Sequence, residues 1–335
     1  MRAFVISAKG TAGVEEVAVP VAAQGDAVVD VERVGVCGTD VELFTGEMEY
    51  LHDGNARYPI RIGHEWMGTV TSVGAGVDPA WVGRRVTGDT MLGCGHCRSC
   101  AEGTHWVCEF RTEIGIRGGR AGALAERLAV PGRSLHALPE TVGGTAGALV
   151  EPGGNALRAV RAAGLDRGDR VLILGPGTIG LLAAMFARAA GAEVHLLGAT
   201  GASLEFARSL GFRRTWTEAA VPAEPFDAVI DASNAPSSPS AAARFVRAGK
   251  RVVYIGLSGA PSLLDTRSLV LKDVTAVGVL SASPGLAGTI EHYADGSVDP
   301  SPLVAATVGL ADVAAVLAGE RPSGAGPKIH VDPRR

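Results

Sequence analysis

The sequence predicts an α/β protein of two domains: an irregular, barrel-like β domain and a parallel sheet with helices on both faces. Three observations carry that expectation. The chain has 335 residues, 47% hydrophobic and 20% charged, long enough for two cores and too apolar for wholesale disorder. Near residue 150 its pattern changes from short β-branched strands broken by glycine to apolar strands alternating with Ala-rich helices. Within the second part a glycine turn, Gly175-Pro176-Gly177-Thr178-Ile179-Gly180, separates a strand from a helix.

The elements follow in order. RAFVIS, DAVVDVERVGV, GTVTSVGAGV, RRVTGDT and ERLAV read as strands, because β-branched residues alternate between turn signals. GALVEPGGNALRAVRAAG reads as a helix entered through Pro-Gly-Gly. VLIL is a strand, LLAAMFARAAG a helix and EVHLL a strand; FDAVIDAS, RVVYIG and DVTAVGV continue the series. From about residue 284 a helical GLAGTIEHYADG leads into the strand-like GPKIHVDP, which is expected to return to the first domain. The predicted domains are therefore 1–152 with 284–335, and 153–283.

Composition excludes several classes. A formal charge of −4 and no basic run argue against a nucleic-acid binder. No apolar stretch reaches membrane-spanning length. The start, MRAFVISAKG, has no apolar segment with a cleavage site, so a cytoplasmic location is expected.

The five cysteines carry the chemistry. Cys94, Cys97, Cys100 and Cys108 form a C-x2-C-x2-C-x7-C run within a lobe of about residues 93–109. Four thiolates so close in sequence can wrap one tetrahedral ion, with zinc the usual occupant and an iron–sulfur cluster the competitor. An odd cysteine count and no secretory signal argue against disulfides. His96 and His105 lie inside the lobe but are not needed, since four thiolates close the site. Cys37 stands apart, followed downstream by His64 and Glu65. A thiolate, an imidazole and a carboxylate leave a coordination position open, as a catalytic zinc requires. One closed and one open site point to an enzyme.

In the glycine turn Gly175 makes the tight bend, Gly177 lets the backbone approach a pyrophosphate, and Gly180 packs helix against strand. A dinucleotide cofactor is expected. The next strand ends in Gly198-Ala199-Thr200-Gly201 without the acid that holds the ribose of NAD, so NADP is slightly favoured over NAD. No arginine stands in that turn, leaving Thr200, Arg213 or Arg214 for the 2′-phosphate.

CGTD at Cys37–Asp40, GHE at Gly63–Glu65, the four-cysteine lobe, VEP at Val150–Pro152 and the glycine turn together resemble the zinc-dependent medium-chain dehydrogenases over essentially the whole chain. The resemblance implies a GroES-like catalytic domain interrupted by a Rossmann domain, with the active site in the cleft between them. It implies Cys37 and His64 as catalytic zinc ligands, Glu65 as a third ligand or its close support, and Glu151 binding directly or through water. The four-cysteine lobe would hold a second, structural zinc. Thr39 would take the substrate proton, and Asp40 would orient His64. Cofactor contacts would include Gly175 to Gly180, Gly198, Thr200 and Gly256.

Glu42 and Glu113 resemble the glucose-dehydrogenase subgroup, whereas Ser281 stands where that subgroup more often shows a sugar-binding asparagine. The implied reaction moves hydride between NAD(P) and a secondary hydroxyl, or its carbonyl, of a sugar, polyol or cyclitol-like substrate. Glu42, Glu113, Ser281 and the loop Gly46 to Tyr58 would meet its hydroxyls. His52 in that loop reads as a solvated residue. The alternatives are a short-chain secondary-alcohol or threonine-type dehydrogenase and, more remotely, a non-catalytic nucleotide-binding protein of the same fold. The resemblance also implies a homodimer or homotetramer.

Overall fold

A computed structural model describes residues 1–322 and 324–335. The chain divides into two compact units. One comprises Met1–Glu151, Tyr293–Asp295 and Asp299–Arg335; the other comprises Pro152–His292 and Gly296–Val298. Among the described residues no helix is long and apolar enough to cross a membrane.

The first unit is built on a sheet in the spatial order Val304–Gly309, Lys328–Asp332, Asp26–Val36, Glu65–Val73, Arg85–Gly88, Leu135–Ala137, with Arg127–Pro131 added against Asp26–Val36. Only Val304–Gly309 and Lys328–Asp332 run parallel; the remaining pairs are antiparallel. The long strand Asp26–Val36 shifts register against Glu65–Val73 between Val28 and Val29 and again between Val31 and Arg33. Such irregularities bend a strand and increase its twist, which curls the sheet over one core of Phe4, Ile6, Val29, Val34, Leu43, Ile62 and Trp66. In the C-terminal segment Ile329, His330 and Val331 pair with Val36, Gly35 and Val34.

The second unit holds six parallel strands in the order Thr215–Trp216, Glu193–Leu197, Arg170–Leu174, Phe226–Asp231, Val246–Tyr254, Thr275–Gly278. By order of appearance this is 3-2-1-4-5-6, the doubly wound topology, whose switch point lies between Arg170–Leu174 and Phe226–Asp231. The glycine turn leaves the C-terminal end of Arg170–Leu174 at that point and enters the helix Thr178–Ala189.

The chain passes back to the first unit near residue 293, later than the expected 284. The helix Leu286–Ala294 explains the difference, because most of it packs on the second unit. Leu286 and Ile290 are buried. Gly288 comes so close to Leu157 that a Cβ would stand 3.0 Å from its Cδ2, and His292 meets the Phe186 ring edge-on at 5.4 Å.

Candidate active site

The short helix Arg98–Ala101 and the 3-10 turn His105–Val107 fold the lobe so that its four cysteines converge. Their sulfurs all lie within 4.8 Å of one another, with Cys97 to Cys108 at 3.6 Å and Cys94 to Cys100 at 4.0 Å. A tetrahedral zinc with bonds of about 2.3 Å sets sulfurs about 3.8 Å apart, so the arrangement fits that ion. Backbone N–H groups already point at the sulfurs: Cys94 donates to Cys108 Sγ at 3.5 Å and Gly95 to Cys100 Sγ at 3.3 Å. The backbone N–H of His96, seconded by that of Cys97, pulls the Cys94 thiol down to about 6, toward the thiolate that a metal needs. His96 turns its Nδ1 to the Cys94 carbonyl and His105 pairs with Asp89 at 2.7 Å, so neither joins the thiols.

The second group forms where two elements begin. Cys37 caps the helix Gly38–Thr45, and Glu65 opens the strand Glu65–Val73 directly after His64. Cys37, His64 and Glu65 place one ligand atom each within 4.8 Å of the others. Asp40, fully buried, ties the two segments: one carboxylate oxygen accepts from the Cys37 N–H at 2.9 Å, the other from the Gly63 N–H at 3.3 Å. That second oxygen also lies 3.7 Å from His64 Nδ1, an ion-pair distance too long for a hydrogen bond. Burial pushes the His64 pKa down, yet Asp40 and then Cys37 outweigh it and hold the imidazole well above 6.5. A pocket that draws positive charge in this way, with a thiol, an imidazole and a carboxylate as donors, fits a divalent cation.

One member of this site has no signal in the sequence motifs. Lys328, buried on the C-terminal strand, donates to both Glu65 oxygens at 2.8 and 2.7 Å and to the Val36 carbonyl at 3.0 Å. Gly35 makes room for the pair, since a Cβ there would stand 2.1 Å from Glu65 Oε2. The sequence itself offers only a lysine at the head of the strand KIHVD.

The other expected residues are placed as follows. Thr39 lies in the first turn of the Cys37 helix and is half-buried; Glu42 on the same helix is exposed. Partial desolvation, then the charge of Glu47, raises the Glu42 carboxyl. Glu151, buried in the first turn of the helix Val150–Ala163, falls outside the Cys37–His64–Glu65 group. Glu113 is buried, accepting from Arg111 at 2.8 Å and from the Tyr50 hydroxyl at 3.2 Å. His52 is exposed, with Nε2 at 3.1 Å from the Gly46 carbonyl. Ser281, in the second unit, is buried with φ at 83°, its carbonyl accepting from Arg158 at 3.2 Å.

In the glycine turn each glycine has its own reason. Gly175 has φ at 89°. A Cβ on Gly180 would stand 1.9 Å from the Gly175 carbonyl, whereas one on Gly177 would meet nothing within 4 Å. That open face at a helix N-terminus is where a pyrophosphate fits. Gly256 also admits no side chain, with Ser233 O at 1.9 Å from its Cβ position. At Gly198 a Cβ would meet Leu204 at 2.8 Å and Pro176 at 2.9 Å. Thr200 caps the helix Gly201–Ser209 by accepting from the Ser203 N–H at 3.2 Å. Arg214 is engaged by Glu193 at 3.0 Å, while Arg213 is exposed.

Comparison with known proteins bears on the family and the fold. The family model for the alcohol dehydrogenase GroES-like domain matches residues 23–140, and that for zinc-binding dehydrogenases matches residues 178–294. An L-threonine 3-dehydrogenase from Idiomarina loihiensis is 30% identical over 272 residues, 78% of each chain. The chain belongs to the zinc-dependent medium-chain dehydrogenases. This dehydrogenase is 30% identical over 308 residues to a 2-dehydro-3-deoxy-L-galactonate 5-dehydrogenase from Pseudoalteromonas atlantica, covering 88% of this chain and 87% of the relative. A zinc-binding dehydrogenase from Sinorhizobium meliloti solved with NADP superposes at a TM-score of 0.90 and 27% identity, covering 99% of both chains. The dehydrogenase is thus an oxidoreductase that moves hydride between a hydroxylated carbon and NAD(P), with zinc.

Proposed function

We propose that this dehydrogenase acts on a secondary hydroxyl of a sugar, polyol or cyclitol-like substrate, or on the matching carbonyl, with two zinc ions per chain and a shallow preference for NADP. The observation that carries the reading is the grouping of Cys37, His64 and Glu65, a donor set of one thiolate, one imidazole and one carboxylate. Cys37, His64 and Glu65, with Glu151 directly or through water, would hold the catalytic ion; bound there it supplies a Lewis acid that eases loss of the alcohol proton. A bound nicotinamide would supply the acceptor for the hydride that leaves the carbon, while the hydroxyl gives up a proton. The Thr39 hydroxyl receives that proton and passes it outward. Glu42, Glu113, Ser281 and the loop 46–58 supply polar partners, because a buried hydroxyl left unpaired is costly.

Sugar-type substrates gain support from the galactonate-type relative, which matches more of the chain than the threonine dehydrogenase does. The threonine relative favours a second reading, oxidation of L-threonine. NADP is favoured by the missing acid at Gly198 and by the nucleotide in the Sinorhizobium meliloti structure. A panel of polyols, sugar acids, cyclitols, L-threonine and 2-butanol, each with NAD and NADP, tests all of this. Turnover of L-threonine alone would overturn the polyol reading. Cys37→Ala should abolish turnover while nicotinamide still binds, and Thr39→Ala should slow it roughly 10²–10⁴-fold. A Thr39→Ala enzyme at full rate would remove threonine from the proton path.

A further inference from the structure

We propose that Arg111 is a positioning residue that holds the loop 46–58 in place and thereby sets selectivity for polyhydroxylated over simple alcohols. This rests on the polyol reading above. The loop runs from the end of the Cys37 helix toward His64, so it connects the two segments that carry the proposed catalytic metal ligands. Its middle is pinned at Tyr50 and Asn55 by the segment 111–118.

The pin is a closed triangle. Arg111 Nε donates to Glu113 Oε1 at 2.8 Å, Arg111 Nη2 donates to the Tyr50 hydroxyl at 3.1 Å, and that hydroxyl donates to Glu113 Oε1 at 3.2 Å. Arg111 Nη1 reaches the Cys108 carbonyl at 3.5 Å, so all three guanidinium nitrogens are used. Arg117 reinforces the hold: it lies 5.2 Å over the Tyr50 ring and donates to Asn55 Oδ1 at 3.1 Å, while the Gly118 N–H donates to the Asn55 carbonyl at 2.9 Å. The same segment is anchored behind His64, because the Ile114 N–H donates to the Thr90 carbonyl at 3.0 Å and the Thr90 hydroxyl to the His64 carbonyl at 3.1 Å. Loop and metal group therefore share one scaffold, and Arg111 is the tie that joins the loop at Tyr50 to the buried Glu113.

The buried Glu113 needs a cation, which Arg111 supplies with planar geometry that lysine cannot match. Glu113 thereby acts as the hub of the pin. Arg111 itself touches none of the reacting groups. A small alcohol needs only the metal group and Thr39, whereas a polyol also needs the loop's polar groups at fixed positions. A misplacement of about 1 Å can cost about 10²-fold, so loosening the loop falls on polyols.

The test is Arg111→Met and Arg111→Lys, assayed with the best polyol found for the wild type and with 2-butanol. For Arg111→Met the polyol KM should rise at least about tenfold with kcat within about threefold, and the 2-butanol KM should move less than about threefold. Amide hydrogen exchange in residues 47–56 should quicken at least about tenfold at unchanged zinc content. Arg111→Lys, which keeps the charge but cannot reach all three partners, should fall between. Should Arg111→Met fail to fold, Tyr50→Phe removes one hydroxyl and should give the same pattern at smaller size. Equal losses on both substrates, or unchanged exchange in 47–56, would overturn the proposal. A wild type that oxidises 2-butanol and no polyol would overturn the reading beneath it; hydrogen exchange then still decides whether Arg111 holds the loop.

Discussion

Replacing His330 by leucine should remove one step of this enzyme's acid sensitivity. His330 sits on the C-terminal strand Lys328–Asp332, fully buried, and neither ring nitrogen has a hydrogen-bond partner among the described residues. Burial first, then the charges of Lys328 and Arg33, press its pKa from 6.5 down to about 3. The folded protein thus keeps the imidazole neutral while the unfolded chain binds a proton below about 6.5. Its contribution to stability is complete above the unfolded value and is lost as pH falls toward the folded one. Over the whole interval the loss is roughly 5 kcal/mol, and between pH 8 and pH 5 about 2 kcal/mol. Leucine has no proton to bind and strands no polar atom, so at pH 8 the variant should be at least as stable. Thermal melts in excess zinc at the two pH values measure this. At about 2–4 °C per kcal/mol for a domain of this size, the wild type should lose about 4–8 °C more than His330→Leu. Equal losses would mean that His330 is not the acid-sensitive group.

Three further outcomes follow from the metal and cofactor sites. Cys94→Ser should lower zinc from two per chain toward one by elemental analysis and lower the melting temperature, because a structural zinc contributes folding energy directly. Lys328→Met in metal-free protein should cost about 3–5 kcal/mol in denaturant titration by stranding the Glu65 charge, with Lys328→Arg recovering part of it. Gly198→Asp alone should damage the cofactor site, since its Cβ meets Leu204 and Pro176. Combined with Leu204→Ala it should shift the kcat/KM ratio toward NAD, and a double variant that still prefers NADP would show that Gly198 does not govern the choice.

The doubly wound domain was legible because its signals are local. VLIL, the glycine turn and LLAAMFARAAG adjoin, so strand, bend and helix can be read within about twenty residues. The lobe cysteines were legible for the same reason: a seven-residue gap is too short to carry Cys108 far from its partners. The return of the chain near residue 293 was not, because it depends on which unit covers the apolar face of Leu286–Ala294. Nor was the pairing of Lys328 with Glu65, 263 residues apart, or that of Tyr50 with Glu113, 63 apart. Nor could spacing reveal that Leu204 and Pro176 crowd Gly198. Sequence by itself determined the kinds of element and the kinds of chemistry, since turns, periodicity and short ligand spacing act through neighbouring residues. Tertiary structure alone decided which charges neutralise one another, because a carboxylate needs a partner only once the fold has removed it from water.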